Sequence, residues 1–251
     1  MHILGIDIGG TGIKAAVVDT QTGKLAGAHK RVPTPKPATP ENIAVCLSDL
    51  VRELAWTGPV GCGFPATVHH GVAYSASNID PSWINTDAQT LFSARTGQPC
   101  FVVNDADAAG MAEMRFGSGQ NQHGVTILLT IGTGIGSAVF VNGELHPNTE
   151  LGHLKFAGDI AERYCAESTR INQHLNWQEW GQRFNEYLNH LEFVFNPDRF
   201  IIGGGVAEQM EQFKPLLTTK APVLAAQSLN QAGIIGAALF AENQLTNHKA
   251  S

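Results

Sequence analysis

A carboxylate and a glycine-rich turn open the chain: Asp7-Ile8-Gly9-Gly10-Thr11-Gly12 lies between two apolar runs at 3–8 and 13–18. Glycines let a backbone approach an anion closely, with N–H groups aimed at phosphate oxygens. Thr11 adds a hydroxyl donor, and Lys14 adds positive charge if its side chain faces the turn. Asp7 beside phosphate calls for a cation between them, and Mg²⁺ held through water answers that conflict. The turn is no Walker A loop, since G-x-x-x-x-G-K-[ST] is absent, and no Rossmann fingerprint, since a strand follows it. Alone, it reads equally as an ordinary hairpin. A second turn, Thr130-Ile131-Gly132-Thr133-Gly134, sits between strand-like runs at 125–129 and 135–141. The pair reads as a two-sided phosphate clamp.

Asn104-Asp105 ends a short apolar run at 101–103, where open α/β sheets place their ligands. A helix predicted over 106–116 turns its positive end towards Asp105 and favours the carboxylate. Such a group, beside a substrate hydroxyl, can take its proton as the oxygen attacks phosphorus. The competing reading is that Asp105 only caps the helix. Asp107 reads as a capping and dipole residue. Glu150-Leu151-Gly152-His153 places a carboxylate and an imidazole three apart. They can grip the hydroxyls of a polyol or ligate a metal, though no third metal ligand stands nearby. Gly63-Phe64-Pro65-Ala66 and Ser77-Asn78-Ile79-Asp80 are further loop candidates that read by default as turns.

The elements that must position these residues follow from pattern. The chain has 251 residues, 43% hydrophobic and 15% charged, enough for a sizeable core. Lys plus Arg is 16 against 22 for Asp plus Glu, a net charge of −6 that argues against a general nucleic-acid binder. The run at 125–141 is broken by glycines and hydroxyl residues, so no membrane span is expected. Cys46, Cys62, Cys100 and Cys165 form no C-x-x-C pair, which disfavours disulfide scaffolds and zinc ribbons. The opening Met-His-Ile-Leu-Gly-Ile-Asp has no signal-peptide character, so a cytoplasmic protein is expected.

The two hairpins overlay. Ile8-Gly9 matches Ile131-Gly132 and Ala16-Val17 matches Ala138-Val139, with the second turn one residue shorter. An offset near half the chain points to duplication, giving two similar α/β halves that face each other across a cleft. The expected lobes are 1–105 with the first phosphate loop and 106–251 with the second. The last helix, about 233–243, is expected to pack back on the N-terminal lobe. Thr39-Pro40 predicts a helix start, with Ile43, Leu47, Leu50 and Leu54 at helical spacing. Trp177, Trp180, Phe184, Tyr187, Leu191 and Val194 form an aromatic stripe that reads as core or subunit contact, stopped by Asn196-Pro197. A strand at 200–202 leads through Gly203-Gly204-Gly205 into an expected helix, and the polar tail after Leu245 is expected to fray.

In order along the chain, Asp7-Ile8-Gly9-Gly10-Thr11, Asn104-Asp105-Ala106-Asp107-Ala108-Ala109-Gly110, Leu129-Thr130-Ile131-Gly132-Thr133-Gly134-Ile135-Gly136 and Glu150-Leu151-Gly152-His153 resemble the motifs of a sugar kinase of the ROK family. The resemblance spans Ile3 to about Phe240. It implies an α/β, two-lobed, actin/hexokinase/Hsp70-like (ribonuclease H-like) duplicated fold. Within the family the chain most resembles the polyphosphate glucokinases, through the stretches 34–40, 77–84, 148–153, 176–180 and 200–206. The phosphoryl donor implied is inorganic polyphosphate, with ATP as a second donor, and the acceptor is the 6-hydroxyl of glucose.

Roles follow from the resemblance position by position. Asp105 matches the catalytic base, and Asn78, Asn104, Asp105, Glu150 and His153 match sugar-binding positions. Asp7, Gly9, Gly10, Thr11, Gly12, Lys14, Thr130, Gly132, Thr133 and Gly134 match donor-binding positions, with Gly203 and Gly204 near the donor's distal part. Asp7 would position Mg²⁺ through water. Most ROK kinases follow this His with a C-x-C-G-x-x-G-C zinc cluster. Residues 156–170 contain only Cys165, so no zinc site is expected and His153 is left for sugar. A homodimer is implied as well. Lys14, Lys30, Arg31, Lys36, Lys155 and Arg170 are candidates for a local basic track under a polyanionic donor. The rival readings are an ATP-dependent ROK hexokinase acting on glucose or mannose, a sugar-sensing repressor, and a catalytically inactive sugar-binding module.

Overall fold

The first glycine turn joins β1 (His2–Ile8) to β2 (Gly12–Asp19), antiparallel strands paired from His2↔Asp19 to Ile8↔Ile13. The computed structural model describes residues 1–77 and 79–250, so Asn78, an expected sugar ligand, lies outside the described residues. The chain forms two compact units. One runs to Ala112 and resumes at Gln231; the other is Glu113–Asn230.

In the first unit, β3 (Lys24–Pro33) pairs antiparallel with β2. Thr39 then caps α1 (Pro40–Glu53) through its side chain, with Pro40 in the first turn and Ile43, Leu47 and Leu50 buried. β4 (Val60–Phe64) runs parallel to β1, and β5 (Cys100–Asn104) parallel to β4, after α2 (Ala88–Thr96). The sheet order is β3-β2-β1-β4-β5. Parallel neighbours need crossover connections, and α1 and α2 supply them.

The second unit repeats this plan. The strands β6 (Val125–Ile131), β7 (Ile135–Val141), β8 (Glu144–His146), β9 (Arg199–Gly204) and β10 (Val223–Ala225) stand in the order β8-β7-β6-β9-β10. Again the first three are antiparallel and the last two parallel. The pairs Ile8↔Ile13 and Ile131↔Ile135 close the two turns, with one residue fewer in the second. Duplication is thus visible as topology. The Asn142-Gly143 turn between β7 and β8 has φ 54° and 86°, the left-handed pair that a two-residue hairpin needs.

Helices complete each unit. α3 (Asp105–Phe116) follows β5, and α4 (Ala161–Cys165), α5 (Glu167–Asn172) and α6 (Trp177–Phe195) lie between β8 and β9. The aromatic stripe on α6 is largely core: Trp180, Phe184, Tyr187 and Leu191 are fully buried, while Val194 is exposed. Its start is a capping box formed by Asn176 and Glu179. α7 (Ala232–Ala250) lies on the first sheet, and only glycine permits the approach. A Cβ on Gly5 would stand 2.1 Å from the Ile234 carbonyl oxygen, and one on Gly61 would stand 1.9 Å from that of Ala237.

Two local expectations are corrected. The segment after β9, Gly205–Gln212, forms 3₁₀ turns with a kink at Gln209 rather than a regular α-helix. Its start has no side-chain cap, and the glycines ahead of it are poor helix formers. The tail after Leu245 continues α7 to Ala250, because no Gly or Pro interrupts the chain between Gly236 and that point. Among the described residues, no helix is long and apolar enough to cross a membrane.

Candidate active site

The first turn is closed by the Gly9 N–H, which donates to the Gly12 carbonyl at 3.0 Å. Two of its carbonyls are taken by one residue just beyond β3. Thr34 Oγ1 donates to the Gly9 oxygen at 2.5 Å, and the Thr34 N–H donates to the Thr11 oxygen at 3.3 Å. Among the described residues, the N–H groups of Gly10 and Thr11 make no hydrogen bond within the chain. The turn therefore offers donors outward.

Asp7, Lys14 and Arg31 stand abreast on β1, β2 and β3. Lys14 Nζ is 3.4 Å from Asp7 Oδ2, so its charge is matched there. Burial pushes the Asp7 carboxyl above its ordinary value, with Lys14 pulling the other way. The start of α7 rests on this carboxylate, where a Cβ on Gly233 would come within 2.7 Å of Asp7 Cγ. Oδ1 accepts no hydrogen bond among the described residues. A lone carboxylate with a spare oxygen beside a turn with free N–H groups fits a Mg²⁺ that keeps most of its water.

The second turn has the same design from different elements. Gly132 N–H donates to the Gly134 oxygen at 3.0 Å. Ser168 at the start of α5 then takes the carbonyls, its N–H donating to the Gly132 oxygen at 3.1 Å and its Oγ to the Thr133 oxygen at 2.6 Å. The N–H groups of Thr133 and Gly134 make no hydrogen bond among the described residues. Gly203↔Thr130 and Gly204↔Ile131 pair in parallel at this end of the sheet. Gly204 has φ 78°, and a Cβ there would meet the Ile131 oxygen at 2.2 Å, so only glycine fits. Thr130, Gly132, Thr133, Gly134, Gly203 and Gly204 are thus gathered in the second unit, and Asp7, Gly9 to Gly12 and Lys14 in the first.

Asn104 and Asp105 stand at the junction of β5 and α3. Asn104 Oδ1 accepts the N–H groups of Ala106 at 2.9 Å and Asp107 at 3.0 Å, and its Nδ2 donates to the Ala66 oxygen at 3.0 Å. The capping duty weighed for Asp105 falls on Asn104. Asp105, half-buried at the first helical position, accepts the Ala106 N–H on Oδ1 at 2.8 Å. Asp107 is fully buried.

Glu150 and His153 are held by β7. Ser137 Oγ donates to the Thr149 oxygen at 2.6 Å and accepts the Leu151 N–H at 2.9 Å. A Cβ on Gly152 would meet the Ile135 oxygen at 2.2 Å, which explains the glycine inside this motif. His153 Nδ1 lies 3.3 Å from Glu150 Oε2, and its Nε2 lies 3.6 Å from Glu162 Oε1. The other oxygen of Glu162 accepts the Ile135 N–H at 3.3 Å. One carboxylate thus links the imidazole to the end of the second turn. Burial, reinforced by Glu162 and opposed by His153, raises the Glu150 carboxyl above its ordinary value. Among the described residues, no group of three or more His, Cys, Asp or Glu side chains is arranged to hold a metal ion. Two carboxylates and an imidazole are suited to gripping vicinal hydroxyls.

Of the basic-track candidates, Lys30 pairs with Glu53 at 3.4 Å, and the Arg170 guanidinium lies 4.1 Å from the centre of the Trp177 ring. Lys36 and Lys155 are exposed. Arg31 makes no ion pair among the described residues, and its Nε lies 3.4 Å from where a Cβ on Gly12, at the end of the first turn, would stand. The site residues that sequence reasoning missed are Thr34, Ser168, Ser137 and Glu162. Each acts on partners outside its own turn of chain, so its role is not announced locally, although Thr34 opens the 34–40 stretch that carries part of the resemblance.

Comparison with known proteins places this geometry in context. The ROK family profile matches residues 3–169. Over 239 residues the chain is 44% identical to the polyphosphate glucokinase of Mycobacterium tuberculosis (strain CDC 1551 / Oshkosh), covering 95% of this chain and 90% of that protein. The crystal structure of the inorganic polyphosphate/ATP-glucomannokinase from Arthrobacter sp. strain KM matches with TM-score 0.92 and 45% identity, covering 97% of this chain and 99% of that one. A ROK family glucokinase from Streptomyces griseus, solved with glucose and AMPPNP, matches with TM-score 0.83 and 26% identity, covering 97% and 100%.

Proposed function

The chain belongs to the ROK family, and from that premise we propose that it is a polyphosphate glucokinase. It transfers the terminal phosphoryl group of inorganic polyphosphate to the 6-hydroxyl of glucose, with ATP as a second donor. The observation that carries this reading is the likeness to a polyphosphate glucokinase over nearly the whole chain, with Asp105 and both glycine turns in place.

Asp105 accepts the proton of the 6-hydroxyl as that oxygen forms its bond to the terminal phosphorus. The bridging P–O bond breaks, and its electron pair leaves with a polyphosphate one unit shorter. Asn104 keeps Asp105 at the start of α3, while Glu150, His153 and Glu162 hold sugar hydroxyls. The outward N–H groups of the turns bind donor oxygens and favour the charge that spreads over them during transfer. Asp7 would hold Mg²⁺, which when bound neutralises charge on the donor. The homodimer belongs to the same reading, and Phe193, 88% exposed on α6, is surface that a second copy would cover.

The test is glucose 6-phosphate formation with Mg²⁺, comparing polyphosphate and ATP at matched phosphoryl concentration. Turnover with polyphosphate is expected, and activity with ATP alone overturns the donor assignment. Asp105→Asn is expected to keep glucose binding and lose roughly 10²–10⁴-fold in kcat. Near-normal turnover would remove Asp105 from the role of base.

A further inference from the structure

We propose that Thr34 and Ser168 are positioning residues for the phosphate donor, each taking up two carbonyl oxygens of one glycine turn so that N–H groups dominate the face that meets phosphate. The inference rests on the donor reading above. A peptide turn carries as many carbonyl oxygens as N–H groups, and an outward carbonyl repels a phosphate oxygen as strongly as an N–H attracts it. Glycine allows close approach but does not choose which of the two faces the ligand. In both units one hydroxyl residue makes that choice with two hydrogen bonds, one from its side chain and one from its backbone.

Thr34 covers the Gly9 and Thr11 oxygens, and Ser168 covers those of Thr133 and Gly132. Among the described residues, the groups left over are the N–H groups of Gly10 and Thr11 with the single Gly10 oxygen in one turn, and the N–H groups of Thr133 and Gly134 in the other.

Duplication alone does not explain the match. Thr34 follows an edge strand of the first sheet, whereas Ser168 sits on α5, a helix that comes after β8. Two unrelated segments deliver the same pair of donors to equivalent turns. Nor does hairpin closure require them. The ladders already pair Ile8 with Ile13 and Ile131 with Ile135, and internal bonds from Gly9 to Gly12 and from Gly132 to Gly134 complete the turns. The shared feature beyond closure is polarity: each turn becomes a donor surface matched to an oligophosphate.

Thr34→Val keeps the shape and the backbone bond while removing the hydroxyl, and Ser168→Ala does the same at the second turn. Each is expected to raise the KM for tripolyphosphate and for ATP about tenfold, the effect of one lost hydrogen bond to a carbonyl that then turns outward. Glucose KM and the melting temperature should stay near wild type, and Thr34→Ser should restore the donor KM.

Titration of tripolyphosphate into wild type and variants by calorimetry separates the two layers of the argument. Failure of wild type to bind tripolyphosphate or ATP overturns the donor reading itself. Equal binding by wild type and both variants overturns only the role of the hydroxyls. A parallel rise in donor and glucose KM, with a lower melting temperature, would make Thr34 and Ser168 merely structural and also overturn the proposal.

Discussion

The carboxamide oxygen of Asn104 accepts the N–H of Asp107 at 3.0 Å, so the residue before the proposed base closes the helix on which that base stands. Its nitrogen meanwhile holds the Ala66 carbonyl, in the loop after β4. Asn104→Ala removes cap and tether together. It is expected to lower stability by about 1–2 kcal/mol and to lower kcat with it, because Asp105 rides on the frayed turn. Asn104→Asp keeps both acceptor bonds to the helix but sets a carboxylate oxygen against the Ala66 carbonyl, so it should restore the cap and not the tether, recovering only part of the stability. Thermal melts alongside kcat measure the two effects.

Glu150 carries a pH signature. Its carboxyl lies above the ordinary value, mainly through burial, so ionising it costs the folded state more than the unfolded chain. That penalty is present above the raised value, shrinks as pH falls through it, and is gone below the ordinary carboxylate range of about 4.3. Glu150→Gln should therefore melt above wild type at neutral pH and level with it below about pH 4. The same variant should bind glucose more weakly, since an amide offers a poorer acceptor to a hydroxyl. Melting curves across pH, paired with a glucose titration, check both halves.

Among the described residues, Arg31 makes no ion pair at the first turn, whereas Lys14 is matched by Asp7. Arg31→Gln should raise the KM for long polyphosphate several-fold, more than for ATP, and flatten its dependence on ionic strength. Glucose KM should not change. Initial rates across a salt series, with each donor in turn, read this out; equal salt slopes for wild type and variant would remove Arg31 from donor binding.

Much of the architecture could be read from the chain because its cues are local. The two glycine turns, the Asn142-Gly143 hairpin and the Thr39-Pro40 helix start each announce themselves within a few residues. The repeat was readable too, since Ile8-Gly9 and Ile131-Gly132 mark the step from strand to turn at the ends of equivalent strands. What escaped depends on partners distant in sequence. Glu162 is connected to His153 and Ile135 by folding alone, and Ser168 reaches a turn more than thirty residues earlier. Asn104 and Asp105 stood out as a polar pair, yet which of them caps the helix was decided by side-chain geometry. After Gly205 the glycine run marked an end to the strand without specifying which helical turn would follow.

The first unit is interrupted in sequence by the whole of the second, and α7 supplies its last layer. A ribosome therefore releases the five strands of the first sheet long before the helix that covers Gly5 and Gly61 exists. The contiguous second unit can fold as it emerges, while the first must wait with the stretch of sheet around Gly5 and Gly61 uncovered until synthesis reaches α7. Nascent chains halted before that helix are accordingly the forms of this protein on which chaperones have a bare sheet to hold.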